Sequence, residues 1–597
     1  MCGICGVLNF GSVESDDNSC HTVEKMMRVL AARGPDAKGL FMQGDAAFGH
    51  RRLKIFDLSE KSHQPLVDNA LGLAVVYNGA LYNYRELRSE LRDMGYTFFS
   101  DGDTEVLLKA YHAWGKNALA RLNGMFAFAI RHRDSGKVVI GRDRLGIKPL
   151  YYSRRPNRIS FASTLPALLV QDDVDREIDP VALHYYMTFH SVVPAPHTLL
   201  KGIRKLPPAT LMTIAPDGDV TFEPYWRLRF GPRPEERDYR FRDWGSLLRQ
   251  ELENAVQRRL TADVSVGVLL SGGLDSSLVV GLLANAGQSD LNTFSIGFES
   301  VGDERGDEFR YSDLIARHYG TVHHKIEVDA GRVLPALERC VTAMSEPMVS
   351  HDCIGFYLLS EAVSKHVKVV QSGQGADEIF AGYHWYPAMM ECDANAGDPL
   401  SQYERVFFDG SHRDYLDAVD TRFHGKNHSQ AFVRRHFADS GADSAIDKAL
   451  RLDTTVMLVE DPVKRVDNMT MAWGLEARVP FLDHEVVELA ARIPAEHKIA
   501  DGGKGILKAM GREIIPSEVI DRPKGYFPVP ALKYFRGEYL DFVREILSTP
   551  TVKNKSLFNP LYVDRVLADP DAHITPLRGA RLWQMALLGY WLTLHNV

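Results

Sequence analysis

The chain is short of several things, and each shortage excludes something. Six cysteines in 597 residues are too few for a disulfide framework. No uninterrupted apolar run is long enough to span a bilayer. The first residues lack a basic stretch followed by an apolar core, so they do not read as a secretion signal. Positive charge is also in deficit. The formal net charge is −8, which argues against a surface built to coat nucleic acid. The cytoplasm is the expected compartment, with no membrane and no nucleic acid as partner. What remains is a globular composition, 45% hydrophobic and 25% charged, with length for more than one domain.

The most informative stretch is Val264 to Ser277, VSVGVLLSGGLDSS. An aliphatic run ends in Ser and Gly, and a second apolar segment, Leu278 to Leu283, follows. That pattern predicts a buried strand, a tight turn and the start of a helix. Gly272 and Gly273 allow close backbone approach. Ser276 and Ser277 stand where the free N–H groups of a helix start point outward. Such a turn holds an anionic group such as phosphate. Asp275 would be repelled by bare phosphate, so a bridging divalent cation is expected. No Gly-Lys-Ser/Thr closes the loop, so it is not a Walker A.

The chain begins Met1-Cys2-Gly3-Ile4-Cys5. Removal of Met1 would expose Cys2 with a free α-amine, whose pKa lies near 8. Thiol and base would then share one residue. Cys2 and Cys5 also form a C-x-x-C, which reads as a redox pair or half a metal site. Position alone does not decide between these. The ordered motifs that follow do: Arg33-Gly34-Pro35-Asp36, then Gly49-His50-Arg51-Arg52-Leu53, then Tyr77-Asn78-Gly79-Ala80. Ser100-Asp101-Gly102-Asp103-Thr104-Glu105 and Gly141-Arg142-Asp143-Arg144 come next. In this order they resemble the glutaminase domain of class II, N-terminal-nucleophile glutamine amidotransferases, from Cys2 to about residue 165.

That resemblance implies that Cys2 attacks the side-chain amide of glutamine and releases ammonia. The Asn78 side-chain amide and the Gly79 N–H would form the oxyanion hole. Arg52 would pair with the glutamine α-carboxylate, and Asp103 would hold its α-ammonium. The family usually has Glu where this chain has Ala80, which removes one contact to the glutamine amine.

Residues 175–240 are rich in Pro and turns, then in charge, and helical periodicity resumes near Trp244, with Leu247, Leu248, Leu252 and Val256 on one face. The Ser271 loop resembles the pyrophosphate-binding loop of ATP pyrophosphatases, which form an adenylate and release pyrophosphate. Asn292–Phe298 reads as the next strand, and in that family the backbone near Ile296 contacts adenine. His323-His324 lack spaced metal partners, so a loop or capping role is expected for them rather than zinc. Further signatures are Gln371-Ser372-Gly373-Gln374-Gly375-Ala376-Asp377-Glu378, Asn468 to Asp483, and Gly502-Gly503-Lys504-Gly505. The block at 468–483 reads as an amphipathic core helix ending at Pro480.

Together these signatures make the chain resemble asparagine synthetase over nearly its whole length. The resemblance implies that Leu270, Ser271, Gly272, Gly273, Asp275, Ser276, Ile296, Ser372 and Gly373 bind ATP. Asp275 and Asp377 would hold Mg2+. Arg465 and Lys504 would stabilise charge on the α-phosphate and on leaving pyrophosphate. Glu346 and Gln374 would lie in the acceptor pocket.

Asparagine-forming members read S-G-E-G where this chain reads Ser372-Gly373-Gln374-Gly375. The missing glutamate can take a proton from attacking ammonia, and glutamine cannot. Phe189-His190-Ser191-Val192-Val193-Pro194-Ala195-Pro196-His197, Gly382-Tyr383-His384-Trp385-Tyr386-Pro387 and Ala80 are similar to the bacterial N-acetylglutaminylglutamine amidotransferases. Those enzymes amidate the terminal carboxylate of an osmoprotectant dipeptide. His384, Trp385 and Tyr386 would form an aromatic acceptor wall or simply be core.

The expected fold is α/β and multidomain. An αββα glutaminase sandwich spans 2–215, a linker 216–242, and a parallel-sheet ATP pyrophosphatase domain with a helical C-terminal part 243–597. The partners are glutamine, ATP and a carboxylate acceptor, and a homodimer is an allowed assembly. Rival readings are a non-catalytic scaffold, against which Cys2, Asn78, Asp275, Asp377 and Lys504 stand, and tRNA thiolation. Thiolation calls for a basic surface and for sulfur-carrying cysteines, whereas Cys340, Cys353 and Cys392 lie outside any motif.

Overall fold

Short, nearly continuous apolar segments, buried on both faces in the central strands, build the first part of the chain into two stacked sheets. The computed structural model describes residues 2–11, 16–299, 307–395, 397–522, 536–577 and 579–597. Removal of Met1 therefore lies outside the described residues. The strands of this part are β1 (Gly3–Asn9), β2 (Ala37–Gln43), β3 (Ala46–Arg52), β4 (Leu66–Asp68), β5 (Leu73–Leu81) and β6 (Gly124–His132). They continue as β7 (Val138–Arg142), β8 (Tyr151–Arg155), β9 (Arg158–Ala162), β10 (Arg204–Lys205), β11 (Thr210–Ile214) and β12 (Val220–Pro224). One sheet runs β10-β8-β9-β1-β3-β2 and the other β12-β11-β7-β6-β5-β4. Strand β12, inside the stretch expected as linker, pairs with β11 from Thr210↔Pro224 to Ile214↔Val220.

Ile4 and Leu8 of β1, Phe48, Val76, Ala127, Ile140 and Phe161 fill the layer between the sheets. The alternate residues, Cys5 and Val7, face Val23, Met26 and Met27 of the helix Asp16–Val29. On the far side, Val75 and Tyr77 pack with Leu107 of the helix Asp103–Trp114. Helix, sheet, sheet and helix thus form the expected four layers. The alternation also places Asn78, two residues after Val76, on the inner face, toward the start of β1.

The second part holds a parallel sheet of β13 (Val266–Leu269), β14 (Asn292–Phe298), β15 (Val322–Val328), β16 (Val369–Gln371) and β17 (Glu476–Arg478). Its order is β15-β14-β13-β16-β17, and every pairing is parallel. The chain winds outward from β13 in one direction and then from β16 in the other. The crevice at the C-terminal ends of β13 and β16 is therefore a topological switch point, where open α/β sheets bind ligands. The helix Phe241–Arg258 buries Trp244, Leu248, Leu252 and Val256, leaving Leu247 at the margin. A helical region ends the chain, closing with Arg581–Leu594. No helix among the described residues is long and apolar enough to cross a membrane.

Two expectations are corrected here. His323 and His324 lie within β15, because residues 322–328 find a parallel partner in β14. The block at 468–483 is not one helix. The helix Lys464–Met471 stops, Gly474 adopts φ +62°, and Glu476–Arg478 becomes the edge strand beside β16.

Candidate active sites

Cys2 is buried at the mouth of the sandwich. Its backbone N–H donates to Asn78 Oδ1 at 3.0 Å. The other side-chain atom of Asn78, Nδ2, is buried with no hydrogen-bond partner among the described residues. A buried unpaired donor is costly, and this one belongs to the residue that bonds the Cys2 N–H. Cys2, Arg52, Gln64, Tyr77, Gly79, Gly102 and Asp103 line one narrow cleft of about 30 Å³. Arg52 is fixed by three loop carbonyls: Ser59 at 2.9 Å, Phe56 at 3.3 Å and Asp57 at 2.5 Å. Asp103 accepts from the Tyr77 hydroxyl at 2.9 Å and the Leu81 N–H at 3.0 Å. Burial pushes its carboxyl up to about 6, with those two donors acting against the rise. Burial also pushes the Cys2 thiol up. Cys5 turns the other way, its thiol contacting the Val23 and Gly49 carbonyls, and both cysteines are free. The C-x-x-C is thus a sequence coincidence on a strand whose neighbouring side chains diverge.

The second site is a cavity of about 500 Å³ at the switch point. Leu270, Ser271, Gly273, Asp275, Ser276, Ile296, Ser372, Gly373, Gln374, Asp377, Arg465 and Lys504 all line it. Gly272 does not. It turns the loop at φ +76° and packs on the 311–312 backbone, where a Cβ would meet the Ser312 nitrogen at 2.6 Å. The helix Leu274–Asn285 has Gly273 as N-cap and no side-chain cap, so its first N–H groups are left for an anion. Gly373 crosses this helix start so closely that a Cβ would sit 2.8 Å from the Ser276 nitrogen.

Lys504 Nζ lies 2.7 Å from Asp275 Oδ2 and 2.9 Å from Asp377 Oδ1. Those two carboxylates outweigh the opposing effect of burial and raise its pKa. The donor set suits magnesium, which takes one or two carboxylates and completes its shell with phosphate and water oxygens. No larger cluster of metal-ligating side chains occurs among the described residues.

Arg465 lines the same cavity, bonded to Ser350 and 3.6 Å from both Asp352 and Asp461. Glu346 is absent from this cavity, which corrects its placement in the acceptor pocket. It is locked in a buried cluster with Lys205 at 2.8 Å and Lys464 at 3.4 Å, and Glu460 contacts the same two lysines. Trp385 and Tyr386 are core as well, both donating to the buried Asp453 carboxylate. Tyr383 alone of that aromatic run lines the cavity, donating to Glu378 at 2.7 Å.

Arg522 stands in no motif, yet its guanidinium lies within 3.6 Å of the Cβ position of Gly273 and 3.0 Å from Glu308. Asp352 and Tyr383 line the same cavity. Arg522 and Asp352 are single residues outside any glycine-rich loop, and only the fold brings them to the site, whereas Tyr383 follows Gly382 inside one of the signature stretches.

Residues 247–593 match the family described as Asparagine synthase, and residues 1–226 match the one described as Glutamine amidotransferase domain. Asparagine synthetase (glutamine-hydrolyzing) 1 of Bacillus subtilis is 32% identical over 99% of this chain and 96% of its own length. The protein named asparagine synthetase (glutamine-hydrolyzing) 3 of the same organism is 30% identical, over 95% of this chain and 93% of its own. A putative asparagine synthetase (glutamine-hydrolyzing) of Mycobacterium bovis is 32% identical, over 98% and 97% respectively.

Proposed function

The chain belongs to the asparagine synthetase family, and from that premise we propose that it carries ammonia from glutamine to a carboxylate larger than aspartate. Its class is that of a glutamine-hydrolysing, ATP-dependent amidating ligase. Cys2 is the nucleophile in this reading, and Asn78 Nδ2 with the Gly79 N–H receives the oxyanion. Arg52 and Asp103 hold the two ends of glutamine. Leu270, Ser271, Gly273, Ser276, Ile296, Ser372 and Gly373 cradle ATP, with Gly272 shaping the loop. Asp275 and Asp377 would hold magnesium, which screens the phosphate charge when bound. Lys504 and Arg465 meet charge on the phosphates.

The acceptor is the terminal carboxylate of N-acetylglutaminylglutamine. The observation that carries this is Gln374, a neutral amide lining the cavity where asparagine-forming members have a glutamate. Glutamine accepts and donates hydrogen bonds but takes no proton at neutral pH. Aspartate is the second reading, favoured by the printed names of the relatives. Pyrophosphate release is measured with ATP, magnesium, an ammonium salt and either acceptor. Turnover with the acetylated dipeptide at least tenfold above that with aspartate is expected, a margin of about 1.4 kcal/mol. Preferential turnover of aspartate would sink the dipeptide reading.

A further inference from the structure

Cys2 is held at both of its backbone ends by residues of the first half, and one of those residues is itself anchored on the other half. Its N–H donates to Asn78 of the first sheet pair. Its carbonyl oxygen accepts from Arg33 Nε at 3.3 Å. The rest of the Arg33 guanidinium forms a two-pronged pair with Asp467, Nη1 to Oδ2 at 2.8 Å and Nη2 to Oδ1 at 3.1 Å. Asp467 lies on the helix Lys464–Met471, two residues after Arg465, so it belongs to the synthetase half.

We propose that Asp467 is a positioning residue for the glutaminase nucleophile: it fixes the Arg33 fork, and through it the backbone of Cys2, from the other domain. This rests on the reading that Cys2 hydrolyses glutamine.

The local geometry leaves Arg33 little freedom. Both side chains are buried, at 6% and 3% exposure. A fork-to-carboxylate pair constrains direction as well as distance. Gly34 presses on β3 so tightly that a Cβ would lie 2.2 Å from the Arg51 carbonyl carbon. Pro35 in turn packs near Gly474 of the second domain, at 3.2 Å from its Cβ position. Lys148 adds a second cation 3.6 Å from Asp467. Burial alone would raise the Asp467 carboxyl, and the two cations override it and hold it below its ordinary range. A pair serving only to glue domains together has no need of a third hydrogen bond to the nucleophile's own carbonyl. Arg33 makes that bond with the one guanidinium nitrogen not facing Asp467.

Because Arg465, two residues before Asp467, lines the nucleotide cavity, one helix reaches toward both centres. Glutamine hydrolysis by the first domain is therefore incomplete without the second.

The test uses the full chain and Asp467→Asn, Asp467→Glu, Arg33→Lys and the Arg33→Lys/Asp467→Asn double variant. Asp467→Asn is expected to lower kcat for glutamine hydrolysis by about 10- to 100-fold, with the glutamine KM within about threefold, because misplacing a nucleophile costs rate more than binding. Alkylation of Cys2 by a diazoketone analogue of glutamine should slow by the same factor. Asp467→Glu should recover part of the rate. The double variant should be no worse than the poorer single, as for residues acting in series. Ammonia-dependent pyrophosphate release should stay within about twofold of the parent, which shows an intact second site. Unchanged glutaminase kcat in Asp467→Asn overturns the proposal. So does an equal fall of both activities, or strict additivity in the double variant. A parent enzyme with no glutaminase activity, or a Cys2→Ala variant that keeps it, overturns the underlying reading instead.

Discussion

In the proposed glutaminase reading, Asn78 is the residue on which the first chemistry turns. One side-chain atom is spent on the Cys2 N–H, and the other is a buried donor with nothing to bond. Such a donor stabilises charge that develops only in the transition state, so it acts on rate rather than on binding. Asn78→Ala is expected to lower kcat for glutamate release by about 10²- to 10³-fold with little change in glutamine KM. A change confined to KM would remove Asn78 from the oxyanion hole. Asp103 makes a prediction about pH. Its carboxyl is pushed up to about 6 by burial. The charged form, which in the proposed reading binds the glutamine ammonium, is therefore present above that pH and is lost as pH falls through it. The kcat/KM for glutamine should fall below about pH 6, and Asp103→Asn should be low and flat through that window. A variant that kept the acid limb would assign it to another group. Ala80 has no carboxyl group, so nothing at that position shares this task, and the limb should carry the signature of Asp103.

At the scale of elements, the second site depends on backbones that approach without side chains between them. Gly382 shows this most sharply. A Cβ there would lie 2.1 Å from Asp377 Oδ1 and 2.3 Å from Lys504 Cε. Gly382→Ala should therefore displace the Asp377–Lys504 pair and abolish ATP-dependent pyrophosphate release, while glutamine hydrolysis stays near the parent rate. Loss of both activities would mean that the substitution unfolds the chain. Gly-rich loops of this kind were legible in the sequence. Ser271 to Ser277 and Ser372 to Gly375 carry their conformation in local residue types, directly after an apolar strand. The same holds for the short apolar runs that build β1 and β5. Other elements were not legible, because their causes are distant. Residues 476–478 become a strand only because β16 offers an open edge, and residues 322–328 only because β14 does. Nothing near Glu346 in sequence shows that Lys205, more than a hundred residues earlier, takes its carboxylate. Arg33 stood in a motif, yet its partner Asp467 is 434 residues away.

Across the whole molecule, the two halves meet over buried charge. Lys205 comes from β10 of the sandwich, while Glu346, Glu460 and Lys464 come from the synthetase half. Their side chains are all at most 5% exposed. Two cations and two anions balance, so removing one carboxylate leaves a surplus positive charge that cannot reach water. Breaking such a cluster costs more than the cluster contributes relative to an apolar replacement, because the desolvated survivor has no partner. Glu346→Gln, which keeps shape and removes charge, should destabilise the folded chain by about 3–5 kcal/mol. Thermal unfolding should show an earlier transition, with the sandwich and the synthetase half separating. Added salt should not restore it, since buried pairs are screened little. The Michaelis constant for the acceptor should stay within about twofold of the parent at temperatures where the variant is folded. If instead stability is unchanged and acceptor KM rises tenfold, Glu346 faces the acceptor during turnover. The interface would then open in the catalytic cycle to release it from Lys205 and Lys464.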